Sequence, residues 1–428
     1  MIFCKKAGWG MALLFLCLIF GTGRTQKIEA AVQNVPESLE EESRLDTVGT
    51  DQETERAAVR EKKGQQEKEA GDTETDQAAA AQDELLAELD FDAIQQEVDS
   101  LLSSQQFSFA GTVRSLLQDG DPFRTFRAGN AVLSCAKTAF LAQKGLMKEL
   151  FLLVLAGAVL GSFSSLFEGK QVRDASFYMV YLLALALILK NFQSSGENLK
   201  AVITSLVAFM RILTPSYYLA AAAAGGASSA VMFYQMLLLV ILAVEKLLLA
   251  LVLPMIHIYL LIALVNDLSG EEILSHMTEL LETCVNGLLK SSLGVLVGMQ
   301  MIRNLIAPAL DSLRQMALWR TAGMIPGIGN AVNAVTELVA GSAVLIRNCF
   351  GVTARLVLLA AGMVPAVQLL VSGLSFRLLA AAAQPVSDKR IAGCLAAAGK
   401  GYAMLLRLLL TVEVLFLLTI AILAGTFS

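Results

Sequence analysis

The 428 residues are 55% hydrophobic and only 17% charged, with a mean hydropathy of +0.61. Soluble domains carry about 25% charged residues, so this composition excludes one large soluble domain and points to a chain that enters a bilayer repeatedly. The net charge of −5 conceals two populations: 21 acids against 6 bases lie between Glu37 and Asp99, and the remainder is net basic. The acidic segment argues against nucleic acid as a partner, and the basic remainder suits loops beside anionic lipid.

In chain order, Lys5 and Lys6 precede the apolar run WGMALLFLCLIF, the pattern of a secretory signal too short to span a bilayer. Cleavage after Ala30 or Ala31 and retention as an anchor both stay open. Residues 32–81 are acidic and poor in aromatics; they cannot bury enough apolar area to offset ordering entropy, so a disordered extracytoplasmic segment is expected. From Asp83 to Leu102, Leu86, Leu89, Ile94, Val98 and Leu101 recur at helical spacing. After the turn signal at 119–122, Phe123–Lys148 reads as an amphipathic helix. A membrane-surface role and a partner-binding role fit it equally.

Apolar spans are then expected at Leu150–Phe167, Ala175–Leu189, Ala201–Ala224, Ser229–Val265, Leu288–Ala307, Gly323–Asn348, Val352–Gly373 and Tyr402–Gly425. The third is interrupted by Arg211 and Thr214-Pro215. Ser229–Val265 exceeds the roughly 20 residues one helix needs and contains Pro254, so it is one long broken helix or two short ones. Counted once, it places loops 168–174, 308–322 and 377–400 inside and acidic 267–287 outside, as the positive-inside rule favours. The expected fold is therefore all-α: a polytopic helical bundle of about eight spans over 150–428. Ahead of it stand a signal peptide at 1–31, the acidic segment at 32–81 and an amphipathic extracytoplasmic region at 82–149.

Soluble-enzyme motifs fail on spacing. The stretch from Gly393 to Gly401 lacks the glycine spacing and the hydroxyl residue of a phosphate loop, and Gly327-Ile328-Gly329 lacks the third glycine of a dinucleotide loop. The six cysteines form no close pair, and His257 and His276 form no metal-binding pair. No enzyme activity, cofactor or metal is expected.

Ionisable residues in or beside apolar runs are the sharper signal, because each costs roughly 2.5–3.5 kcal/mol at a helix centre on insertion scales. Arg211, Arg303 and Arg355 lie near span ends, where long side chains reach the interface. Lys246 and His257 also stand within apolar runs. Glu245, Glu337 and Glu413 are open to either an interhelical hydrogen bond or a transport role. Arg407 precedes Glu413 by six residues, so each needs a partner elsewhere. Gly323–Asn348 is the most unusual span: Pro326, Gly327 and Gly329 break its start, Asn330, Asn333 and Glu337 lie within it, and parity sets Glu337 near mid-bilayer. Two Gly/Pro-interrupted stretches, around Pro215 and around Pro326, fit discontinuous transporter helices, and close packing of small residues accounts for them better.

Gly225-Gly226-Ala-Ser-Ser229, Ile325-Pro326-Gly-Ile-Gly329 with Ser342–Asn348, and Gln384-Pro385 with Asp388 closely resemble the stage III sporulation protein AE family, from about Leu150 to the C-terminus. The resemblance implies a multi-pass protein of endospore-forming bacteria, made in the mother cell and placed in the membrane that surrounds the forespore. It implies as partners the other stage III sporulation A-operon proteins, a forespore-made membrane protein and the lipid bilayer. The expected role is a conduit or permease-like element of that transenvelope complex; the competing one is a non-conducting scaffold. No catalytic residues come with the family.

Overall fold

In the computed structural model the described residues are 90–102, 107–119, 128–164, 170–221, 227–269, 274–322, 329–385 and 387–425. The expected signal and acidic segments lie outside them, as do Pro326 and Gly327. Every regular element among these residues is helical.

Helix α1 (Phe91–Leu101) starts where Asp90 accepts from the Ala93 amide at 3.1 Å, with Asp92 in the first turn; acids there complement the helix dipole. Its Ile94 and Val98, with Leu102 just beyond, form one buried face. Helix α2 (Phe109–Asp119) is tied to it by one side-chain amide. Gln95 Nε2 donates to the Phe107 carbonyl, and Gln95 Oε1 accepts from the Phe109 amide. The two helices form a hairpin. It docks on the bundle, where Phe91 and Phe109 meet Phe350 at 5.9 and 4.9 Å between ring centroids.

Helix α3 (Ala128–Ser164) runs without a break from the expected amphipathic segment into the first expected span. Helix α4 (Lys170–Ala221) fuses the second and third spans over 52 residues. The polar stretch Lys190–Lys200 stays helical because its polar groups are satisfied on the helix: Ser195 donates to the Asn191 carbonyl and Gln193 to Glu197. Near the far end, Thr214 donates to the Met210 carbonyl one residue before Pro215, and the helix passes through that proline. The expected interruption is absent.

Helix α5 (Ala227–Leu247), a π-helical turn (Leu248–Val252) and α6 (Leu253–Ser269) form one continuous rod. The wider turn, closed by the Leu253 amide on the Leu248 carbonyl, lies just before Pro254, whose ring would otherwise crowd the preceding turn. Helix α7 is Ser275–Ala322, α8 is Gly329–Ala383 and α9 is Lys389–Gly425. In α8 the expected spans Gly323–Asn348 and Val352–Gly373 are fused, since Cys349-Phe350-Gly351 holds no proline or turn pair.

Five helices among the described residues are long and apolar enough to cross a membrane, against about eight expected: Phe177–Tyr217, Leu238–Ser269, Ser275–Met299, Gly341–Ala383 and Lys389–Ala421. Their outer faces carry Met179, Leu183, Leu239, Val295 and Leu378, each more than half exposed, which suits lipid contact. Rods of 41 and 43 residues reach about 60 Å at 1.5 Å per residue, twice the thickness of the hydrocarbon core, so their ends extend beyond it.

Fusion overturns the parity assignment. The structure brings Leu268 and Arg390 together, with Arg390 Nη1 donating to the Leu268 carbonyl, and packs Gly393 against Asp267. The end of α6, with Asp267, and the basic start of α9 therefore share one end of the bundle, not opposite faces. Phe177, under Arg390 at 5.5 Å, marks the same end on α4.

Candidate functional site

The core of the bundle is the seam between α8 and α9, which run antiparallel in close register. Gly373 faces the Cβ of Tyr402, Gly399 faces the side chain of Arg377, and Gly362 faces Glu413. Each pair sets a glycine opposite a larger residue, so the backbones approach closely and the larger group fills the notch. Tyr402 and Glu413 are eleven residues apart, close to three full turns, so they share one stripe of α9 about 16 Å apart.

Tyr402 anchors a polar layer at mid-bundle. Asn191 Nδ2 donates to its hydroxyl at 2.6 Å, and Ser195 Oγ lies 3.3 Å from it. Phe376 stacks on the ring at 5.2 Å and Phe192 packs edge-on at 5.2 Å. Phe192 also meets His257 at 5.3 Å. His257 Nδ1 donates to the Leu253 carbonyl at 2.9 Å, which fixes the proton on that nitrogen. The imidazole occupies the space where a Cβ on Gly196 would stand, 2.5 Å from Cε1 and Nε2.

Glu413 is 2% exposed, and its Oε1 finds no hydrogen-bond partner among the described residues. Between the two polar sites stand Leu405, Leu408 and Leu409, all fully buried. Glu245 pairs with Arg211 across α5 and α4 at 2.8 Å; Arg211 is 49% exposed and Glu245 15%. The pair ties the two helices at the bundle surface. Arg407 Nη1 donates to Asn286 Oδ1 on α7 at 3.1 Å and does not meet Glu413. Arg211 is thus paired and Arg407 bridges helices.

Gly329, Asn330, Asn333 and Glu337 lie in the first turns of α8, where side chains are outside the description. The expected mid-bilayer acid at Glu337 falls there too. Among the described residues no group of three or more His, Cys, Asp or Glu comes together as metal ligands, and Cys284, Cys349 and Cys394 are free thiols.

Sequence reasoning passed over Asn191, Ser195, Gly362 and Arg347. Arg347 is 1% exposed with Tyr217 close by, one turn before Phe350 beneath the α1–α2 hairpin. A fully apolar helix would not carry an arginine at that position, and that was the available signal. Asn191 and Ser195 look like loop residues until Tyr402, 211 residues later, is folded against them.

These features define a helical multi-pass membrane protein with polar groups held inside its bundle. A family model for stage III sporulation protein AE matches residues 107–426, and the chain belongs to that family. It is similar to the stage III sporulation protein AE of Bacillus subtilis (strain 168), 22% identical over 291 residues, covering 67% of this chain and 73% of that protein. No solved structure matches the chain.

Proposed function

We propose that this protein is a membrane subunit of the complex that joins mother cell and forespore during endospore formation, and that it supplies a permease-like element to that complex. Family membership supports the sporulation setting. The observation that carries the permease-like reading is the buried stripe of α9, where a polar layer around Tyr402 and the carboxyl of Glu413 lie inside membrane-spanning helices. Polar and ionisable groups at that depth are costly and tend to mark a path or a coupled site. The protein acts through conformational change and assembly, without enzymatic chemistry, in the mother-cell membrane around the forespore. Its partners are the other proteins of the same operon and a forespore-made membrane protein.

A scaffold reading has one observation of its own. Leu405, Leu408 and Leu409 fill the interior between the two polar sites, so a path through a single resting subunit is closed there. Alanine at Glu245, Glu337 and Glu413, one at a time, separates the two. The permease-like reading predicts loss of heat-resistant spores and of small-molecule passage while the complex still assembles. Intact sporulation and passage in all three would leave only the scaffold.

A further inference from the structure

Glu413 is the one carboxyl among the described residues that is both almost fully buried and left with an oxygen lacking a partner. Its carboxyl sits against the Gly362 backbone, where a Cβ on that residue would fall on Oε1. Three residues further along α8, Pro365 has no N–H to give, so the Ala361 carbonyl, adjacent to Gly362, loses its intrahelical donor. An ionised carboxylate offers that carbonyl nothing, whereas a carboxylic acid offers an O–H.

The charged groups nearest in the fold are all engaged or distant. Arg407 on α9 is bonded to Asn286 of α7. Glu245 on α5 lines a small apolar cavity with Val412, Leu415 and Phe416, and is paired to Arg211 of α4. Arg355 on α8 is two turns from Gly362. Among the described residues no charged side chain bears on the Glu413 carboxyl. A lone carboxylate in such a place costs far more than its neutral form.

We propose that the Gly362–Pro365 notch with Glu413 is a proton-binding site: Glu413 carries a proton while α8 and α9 are closed on each other and gives it up when they part. This deepens the permease-like reading by naming the proton as the ligand of the buried stripe. The chemistry is one O–H bond broken on release and remade on closure, with water as acceptor and donor.

Two readouts test it. Infrared difference spectra of the full-length chain in phospholipid vesicles at neutral pH, wild type minus Glu413→Gln, should show the carbonyl stretch of a protonated carboxyl that shifts in heavy water. Loss of ionised-carboxylate bands instead would overturn the site. Should Glu413→Gln accumulate poorly, dicyclohexylcarbodiimide, which adds to protonated carboxyls in apolar surroundings, replaces it. An adduct mapped to Glu413 in the wild type supports the site, and adducts confined to other carboxyls overturn it. In sporulating cells Glu413→Gln, which mimics the loaded state, should assemble at the wild-type level and lose heat-resistant spores. Wild-type spore yield with the infrared band present would show a proton with no working role and overturn the release step, leaving the permease-like reading to stand or fall on the alanine variants.

Discussion

The α8–α9 seam and helix α7 are built from the same materials, long apolar helices punctuated by glycine, and they use them in opposite ways. In the seam, Gly362, Gly373 and Gly399 are each occupied by a side chain from the facing helix. On α7, a Cβ at Gly287, Gly294 or Gly298 would meet nothing within 4 Å, and Val295 is 58% exposed beside them. A glycine opposite Glu413 or Tyr402 is a socket that sets how closely two helices lie. A glycine facing open space only lowers the helix propensity of its own segment. The contrast locates the closely packed, polar-lined part of the molecule at the seam and leaves α7 as its least buried span.

Substitutions along both helices can break this contrast. Gly362→Ala should have the largest effect, because the new Cβ coincides with Glu413 Oε1 and that side chain is buried, with little room to withdraw. Overpacking of this kind costs about 1–3 kcal/mol, read as a fall in the apparent melting temperature of the purified full-length chain in detergent. Gly196→Ala should cost less, at the lower end of that range, since the His257 ring it meets is only half-buried and can shift at the expense of its bond to the Leu253 carbonyl. Tyr402→Phe removes the acceptor for Asn191 and the contact with Ser195. Interhelical hydrogen bonds in membranes average about 0.6 and reach about 1.7 kcal/mol, so a loss in that range is expected by the same assay. Gly294→Ala and Gly298→Ala should cost nothing and raise stability by up to about 1 kcal/mol, since the new methyl meets open space and alanine is the better helix former. A loss at α7 as large as that at Gly362 would end the distinction between the two regions.

Much of the fold was legible in the apolar runs, since runs of that length can satisfy their backbones in a bilayer only as helices. What misled was the reading of polar interruptions as loops. Lys190–Lys200 and Cys349–Gly351 contain no helix-stopping proline, and the polar groups of the first are satisfied on α4 itself and by Tyr402 of α9. Helix continuity there depends on partners far along the chain, which local pattern cannot show. Pro215 and Pro254 suggest breaks by sequence, and Pro365 lies inside an expected span. Each is absorbed within a helical rod, Pro254 behind a π-helical turn.

The candidate site was legible in part. Glu413, Glu245 and Arg407 stood out as charges in apolar runs, yet the same pattern hid three different environments: a packed notch, a surface ion pair and a bridge to α7. Spacing along one helix separates none of these. Arg347 sits inside a stretch rich in small residues, and its burial beside Tyr217 of α4 rests on a residue 130 positions earlier.

The seam is built on the Glu413 carboxyl lying in the Gly362 notch, and a double-mutant cycle reads that contact directly. Full-length wild type, Gly362→Ala, Glu413→Ala and the double variant would be compared by thermal unfolding in detergent. If the notch is as described, truncating Glu413 makes room for the new methyl group, and the double variant recovers most of the loss caused by Gly362→Ala, a coupling of about 1–3 kcal/mol. If the two losses simply add, to within about 0.5 kcal/mol, the residues do not touch and the seam is not built this way.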